Sequence, residues 1–259
     1  IINDLFLDEN DLLWVGTTNG MFVFNNDFST LKKFTSFKKL YNSNIRVIKK
    51  GNNGNIWVGS DNGLGLIKNS NSGEVLEFRK GIDSTTIISN QIIDLDWDNN
   101  RNELWISTNG GISLFNDKYK KFINFQETPF SESIIENSVE NILIAEKSGK
   151  VWFTTKNYPG INCLVRWYNK DINKYDSQFN HLENDIIDQN SLTNNNISTF
   201  IEDRAGNIWI GTRLNCSSAV RVNTPDRTST IDVFQGITNA STHSYTATTV
   251  ACNTLGCGT

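Results

Sequence analysis

The segment Ile197-Ser198-Thr199-Phe200-Ile201-Glu202-Asp203-Arg204-Ala205-Gly206-Asn207-Ile208-Trp209-Ile210-Gly211-Thr212 decides the fold. Ile197 to Ile201 is a short strand signal. Asp203 to Asn207 is a tight turn, with Gly and Asn able to take the positive φ that such hairpins need. Ile208 to Thr212 is a second strand with a large aromatic near its start. Strand, turn and Trp strand together make half of a four-stranded antiparallel unit.

Working outward, the Trp phrase recurs four more times: Leu12-Leu13-Trp14-Val15-Gly16-Thr17, Asn55-Ile56-Trp57-Val58-Gly59-Ser60, Glu103-Leu104-Trp105-Ile106-Ser107-Thr108 and Lys150-Val151-Trp152-Phe153-Thr154-Thr155. The key tryptophans are spaced by 43, 48, 47 and 57 residues, in or just beyond the range of roughly 40–50 for propeller blades. The widest gap predicts an insertion around Asp171 to Leu192, read as a long polar surface loop.

Each unit shows the same order of signals. An inner strand such as Ile45-Arg46-Val47-Ile48 precedes the Trp strand. A second turn follows at Asn19-Gly20, Asn62-Gly63 or Gly110-Gly111, then an apolar third strand such as Met21-Phe22-Val23-Phe24. A fourth strand is legible in Leu31 to Phe34, Val75 to Phe78, Phe122 to Phe125 and Ile231 to Phe234. A single sheet cannot bury both faces, so blades must stack, with each Trp filling an interface. The expectation is an all-β propeller of four-stranded antiparallel blades at about 1–41, 42–86, 87–133, 134–192 and 193–235, followed by an irregular Ser/Thr-rich tail at 236–259.

Composition agrees. The 259 residues hold 7 Trp, 15 Phe and only 3 Pro, favouring strand over helix. A formal charge of −4 with no dense basic run argues against a nucleic-acid partner. No apolar run approaches the roughly 18 residues needed to span a bilayer. The start Ile1-Ile2-Asn3-Asp4 reads as an interior cut. Cys163, Cys216, Cys252 and Cys257 match neither a paired zinc motif nor a small disulfide scaffold.

The unit from Ile197 to Thr212, with its lead-in Asn190-Ser191-Leu192-Thr193-Asn194-Asn195-Asn196, resembles the two-component regulator propeller repeat. The resemblance implies part of a seven-bladed ring in the periplasmic sensor of a hybrid two-component kinase, many of which answer to polysaccharide fragments. It also implies other blades and signalling domains in the same polypeptide, and a dimer; no cofactor is expected. Ser107 and Thr154 replace the Gly of the repeat, and the fifth unit lacks a Gly-Gly turn after Arg213.

In a propeller, the loops from second to third strand share one face with the loops from one blade's outer strand to the next blade's inner strand. Here the first class offers Asn19, Asp61, Asn62, Asn109, Asn157, Tyr158 and Arg213, and the second Asn44, Asn90, Asn137 and Asn196. Amides suit sugar hydroxyls, Arg forks onto a carboxylate, and Tyr stacks on a pyranose ring. The same Asn and Asp residues also serve tight turns without any ligand.

No catalytic or metal constellation is legible. His181, in the blade-four insertion, and His243, in the tail, read as exposed loop histidines. Asp94, Asp96 and Asp98, followed by Asn99-Asn100, read as a solvated turn rather than a cation site or an acid pair. Two other functions compete with sensing. One is a lyase related to streptogramin lyases, whose repeats contain a phrase like Gly149 to Thr154. The other is a protein-binding scaffold.

Overall fold

The computed structural model describes residues 1–25, 31–33, 43–68, 74–83, 85–116, 120–129, 133–170, 174–188, 191–192, 194–212, 218–223 and 230–235. Arg213 and the 236–259 tail lie outside them. Among the described residues twenty strands form five four-stranded sheets, each in chain order. The first holds β1 (Ile2–Leu7), β2 (Leu13–Thr17), β3 (Gly20–Phe24) and β4 (Leu31–Lys33). The second holds β5 (Ile45–Lys50), β6 (Ile56–Ser60), β7 (Gly63–Lys68) and β8 (Glu74–Phe78). The third holds β9 (Ile92–Asp98), β10 (Glu103–Thr108), β11 (Gly111–Asn116) and β12 (Lys121–Phe125). The fourth holds β13 (Val139–Ile144), β14 (Val151–Thr155), β15 (Ile161–Asn169) and β16 (Lys174–Leu182). The fifth holds β17 (Ile197–Glu202), β18 (Ile208–Thr212), β19 (Ser218–Asn223) and β20 (Thr230–Gln235). Backbone packing divides the chain into two compact units, Ile1–Ile144 and Ala145–Thr259.

One expectation is corrected. The stretch read as a loop around Asp171 to Leu192 contains β16, which pairs with β15 over nine residues from Ile161–Leu182 to Asn169–Lys174. Its polar sequence, KYDSQFNHL, hid a strand because it is an outer one, where side chains need not be apolar.

The stacking of blades explains the motif. Trp14, Trp57, Trp105 and Trp152 are fully buried, each removing on the order of 200 Å² from water, or about 5 kcal/mol of transfer free energy. Trp57 meets the rings of Phe78 and Phe115, the latter from the next blade, at 5.9 and 5.2 Å. The Gly two residues after Trp is set by close approach. A Cβ on Gly16 would meet Ile45 of the next inner strand at 2.9 Å, and one on Gly59 would meet Ile92 at 2.6 Å. In the third blade Ser107 occupies this place and turns the contact into a hydrogen bond, donating to the Glu140 carbonyl at 2.6 Å.

The turn before the Trp strand is built on a carboxylate in the first and fifth blades. Asp8 accepts from the amides of Asn10 and Leu12 and from Trp14 Nε1. Asp203 accepts from the amides of Ala205 and Asn207 and from Trp209 Nε1.

Candidate functional site: the loop ends of the blades

In the first unit the two predicted loop classes do meet. Asn44 Nδ2 donates to Asp61 Oδ2 at 2.9 Å, Arg46 Nε donates to Asp61 Oδ1, and Asn44 Oδ1 accepts from Asn3. One blade on, Asn109 Nδ2 donates to Gln91 Oε1 at 3.0 Å and its Oδ1 accepts from Ser138 at 2.8 Å. In the first three blades the turn between second and third strand is pinned by a hydroxyl. Thr17, Ser60 and Thr108 donate to the carbonyls of Gly20, Gly63 and Gly111. Their oxygens accept from the amides of Asn19, Asn62 and Gly110. Gly20, Gly63 and Gly111 have φ of 100°, 125° and 126°, which disfavours any side chain.

The predicted residues divide by what their side chains do. The Asn90 and Asn137 carboxamides accept the amides of Lys80 and Glu127 at 2.8 Å, anchoring the loops that enter the next blade. Asn62 Oδ1 accepts from Arg79 Nη1 at 2.8 Å, while its neighbour Asp61 is taken by Asn44 and Arg46. Asn19 stands exposed on its turn.

In the second unit, Asn157 and Tyr158 project from the β14–β15 turn and are exposed, as is Asn196. Here the structure corrects a second reading. His181 lies in β16, not in a surface loop; it is half-buried, its Nδ1 is 3.0 Å from Asn162 Oδ1, and its ring packs edge-on to Tyr158 at 5.0 Å. Burial lowers its pKa despite the opposing pull of Glu183, so it is neutral at pH 7. Its proximity to Tyr158 was hidden because β16 had been read as loop.

The third correction concerns Asp94 and Asp96. They sit within β9 and tie it to β13: Asp94 Oδ2 accepts from Ile142 N at 3.0 Å and Asp96 Oδ2 from Ile144 N at 2.7 Å. Lys49 Nζ reaches Asp96 Oδ1 at 2.7 Å. Burial pushes Asp94 up to about 6, against the amides of Ile142 and Leu95 and the charge of Lys49, and with help from Asp96. Asp98 does cap a turn, accepting from the amides of Asn100 and Arg101, but it is buried, not solvated.

Among the described residues no group of three or more His, Cys, Asp or Glu is placed to hold a metal ion. The Cys163 thiol is buried and pushed up to about 12 by desolvation, which keeps it protonated and unreactive. Sequence reasoning did not single out Arg46, Arg79, Gln91 or Ser138 as site residues. The signal for Arg79 was its place directly after a fourth strand.

The architecture is that of β-propeller blades, and the comparisons agree. Residues 191–213, which include the inner strand and Trp strand of the fifth blade, match the family model described as Two component regulator propeller. Two similar solved structures are extracellular domains named as hybrid two-component systems of B. thetaiotaomicron. They have TM-scores of 0.63 and 0.62 and identities of 19% and 18%, each match covering 90% of this chain. The chain spans only 30% and 28% of those domains. A streptogramin B lyase is also similar in fold, with a TM-score of 0.55 and 12% identity over 90% of this chain and 68% of that one. No protein of curated function matches. Among the described residues no helix is long and apolar enough to cross a membrane.

Proposed function

We propose that this chain is the extracytoplasmic, ligand-sensing propeller of a two-component signalling protein, and that the loop ends of its blades recognise an oligosaccharide. The observation that carries the reading is the meeting of both loop classes at successive blades, in Asn44 with Asp61 and, one blade on, in Asn109 with Gln91 and Ser138, two clusters of carboxamides, a hydroxyl and a carboxylate. Such groups match the alternating donors and acceptors of a sugar ring. In the second unit, taken by itself, exposed Tyr158, backed by His181, is an aromatic face of the kind on which pyranoses stack.

The sensing role draws on the family repeat in blade five and on the extracellular domains that share the fold. In this reading the fragment senses and does not catalyse. Further blades of the same polypeptide complete the ring, two such polypeptides pair, and ligand shifts a population that an attached kinase reads.

The test is a glycan array probed with the full chain, followed by calorimetry. The expected result is a carbohydrate whose affinity falls at least fivefold in Tyr158→Ala, the loss of about 1 kcal/mol of stacking. Metal-dependent turnover of a cyclic depsipeptide would replace sensing with a lyase. A stable protein partner in the absence of any glycan ligand would replace it with a scaffold.

A further inference from the structure

Arg79 follows β8 directly, and its guanidinium leans over the β6–β7 turn, where Nη1 donates to Asn62 Oδ1 at 2.8 Å. The other edge, carrying Nε and Nη2, is buried and finds no hydrogen-bond partner among the described residues. That edge presents two parallel N–H groups, the geometry that grips an oxyanion with both oxygens. Among the described residues its charge is also unmatched by any carboxylate. Asp61, the acid next to Asn62 in the turn, already receives Arg46 and Asn44, and Asn62 is neutral.

A purely structural role does not account for a cation here. In the third blade the residue directly after the outer strand is Gln126, whose neutral Nε2 donates to the carbonyl of Gly110 on the equivalent turn at 3.3 Å. A carboxamide therefore suffices to brace the turn. A guanidinium withdrawn from water without a counter-charge is disfavoured unless an anion completes it. Arg79 as a whole is half-buried, with exposed Asn62 and Lys80 beside it, so the fork lies close beneath solvent-facing groups.

We infer that Arg79, braced by Asn62, is a subsite for the acidic group of a sugar ligand, a hexuronate carboxylate or a sugar sulfate. The inference rests on the oligosaccharide reading above and names the ligand class of that site. Arg79 selects an acidic sugar over its neutral counterpart by charge and by the two-point geometry of the fork, which Lys cannot reproduce.

The experiment follows the side-chain Nε–H resonances of the full chain, labelled with 15N-arginine, during titration with sodium glucuronate, glucose 6-sulfate and glucose at matched ionic strength. The Arg79 signal, assigned as the one missing from Arg79→Lys, is expected to shift saturably with one or both acids and not with glucose. Arg79→Gln should weaken binding of the responding acid at least tenfold and Arg79→Lys by less, with circular dichroism confirming that both variants fold. If Arg79→Gln does not fold, the Lys variant alone carries the affinity comparison. An Arg79 signal that does not move, or moves equally with glucose, overturns the subsite whether or not neutral oligosaccharides bind elsewhere. A saturable shift in a chain that binds no glycan on the array keeps the subsite and removes the oligosaccharide reading.

Discussion

Inner strands β1 and β9 carry the same pattern on opposite terms. Relative to the Trp strand, Leu5 pairs with Val15 as Ile48 pairs with Val58 and Leu95 with Ile106. Ile2, Ile45 and Ile92 are likewise equivalent, facing Thr17, Ser60 and Thr108. In β5 and β9 these side chains are at most 4% exposed, whereas Ile2 and Leu5 are 61% and 56% exposed. The contacts at Gly16 and Gly59 show why: the inner strands of the second and third blades lie against the Trp strand of the blade before. Propensity and register make the strand, but the blade before it makes the strand a core element. An apolar inner strand is a request for a neighbour, which β5 and β9 find in the blade before them.

The comparison breaks first if charge is tolerated equally at both places. Leu95→Asp buries an unpaired carboxylate between blades and should cost more than about 4 kcal/mol, whereas Leu5→Asp should stay within about 0.5 kcal/mol of the parent. Urea unfolding followed by Trp fluorescence measures both, and equal losses would show that β1 is packed as β9 is.

The turns sharpen the same contrast at smaller scale. Asp203→Ala removes the acceptor of two turn amides and of Trp209 Nε1 and should cost about 1–2 kcal/mol. The second blade has Gly51 six residues before its Trp, and a Cβ there would lie 2.8 Å from Trp57 Nε1, so Gly51→Ala should also destabilise, by about 1–3 kcal/mol through crowding. Burial raises the Asp203 pKa, but hydrogen bonds from Asn207, Trp209 and Ala205 outweigh it and hold the carboxyl well below the usual range. Its stabilisation is therefore present above about pH 4 and lost as pH falls, and the penalty of Asp203→Ala should shrink on acidification. A penalty independent of pH in thermal melts would separate Asp203's charge from its role.

The smallest effect runs the other way. Asp94 is raised to about 6 mainly by burial, so its ionisation weakens the fold as pH climbs from about 4 to 6. Asp94→Asn keeps an acceptor for Ile142 N and should be more stable than the parent by about 1 kcal/mol above pH 6, with the gain vanishing near pH 4. A melting temperature that falls in the variant at pH 8 would mean that the charge strengthens the β9–β13 contact more than its desolvation costs.

How far the residues could be read in advance follows from where each interaction is decided. The Trp strands and their turns were legible because Trp spacing, Gly and Asn report local geometry. The fourth strand of blade four was not, since an outer strand faces solvent and carries no alternation to betray it. Asp94 and Asp96 looked like turn acids because a carboxylate reads the same whether it meets water or the amide of the next blade. Among the loop residues, Asn90 and Asn137 could not be told from exposed Asn19 or Asn196 by type, and only the backbone amides they accept mark them as anchors.

By itself the sequence determined the five Trp strands with their turns, the four-stranded antiparallel plan of the blades and the burial of Trp14, Trp57, Trp105 and Trp152, because strand alternation, turn chemistry and repeat spacing act over neighbouring residues. Tertiary structure alone decided which carboxylates tie blades together, that His181 lies against Tyr158, and that Arg79 holds over the β6–β7 turn a fork with no partner among the described residues. Those outcomes depend on contacts between distant segments, where burial and the supply of partners, not residue type, set the free energy of a polar group.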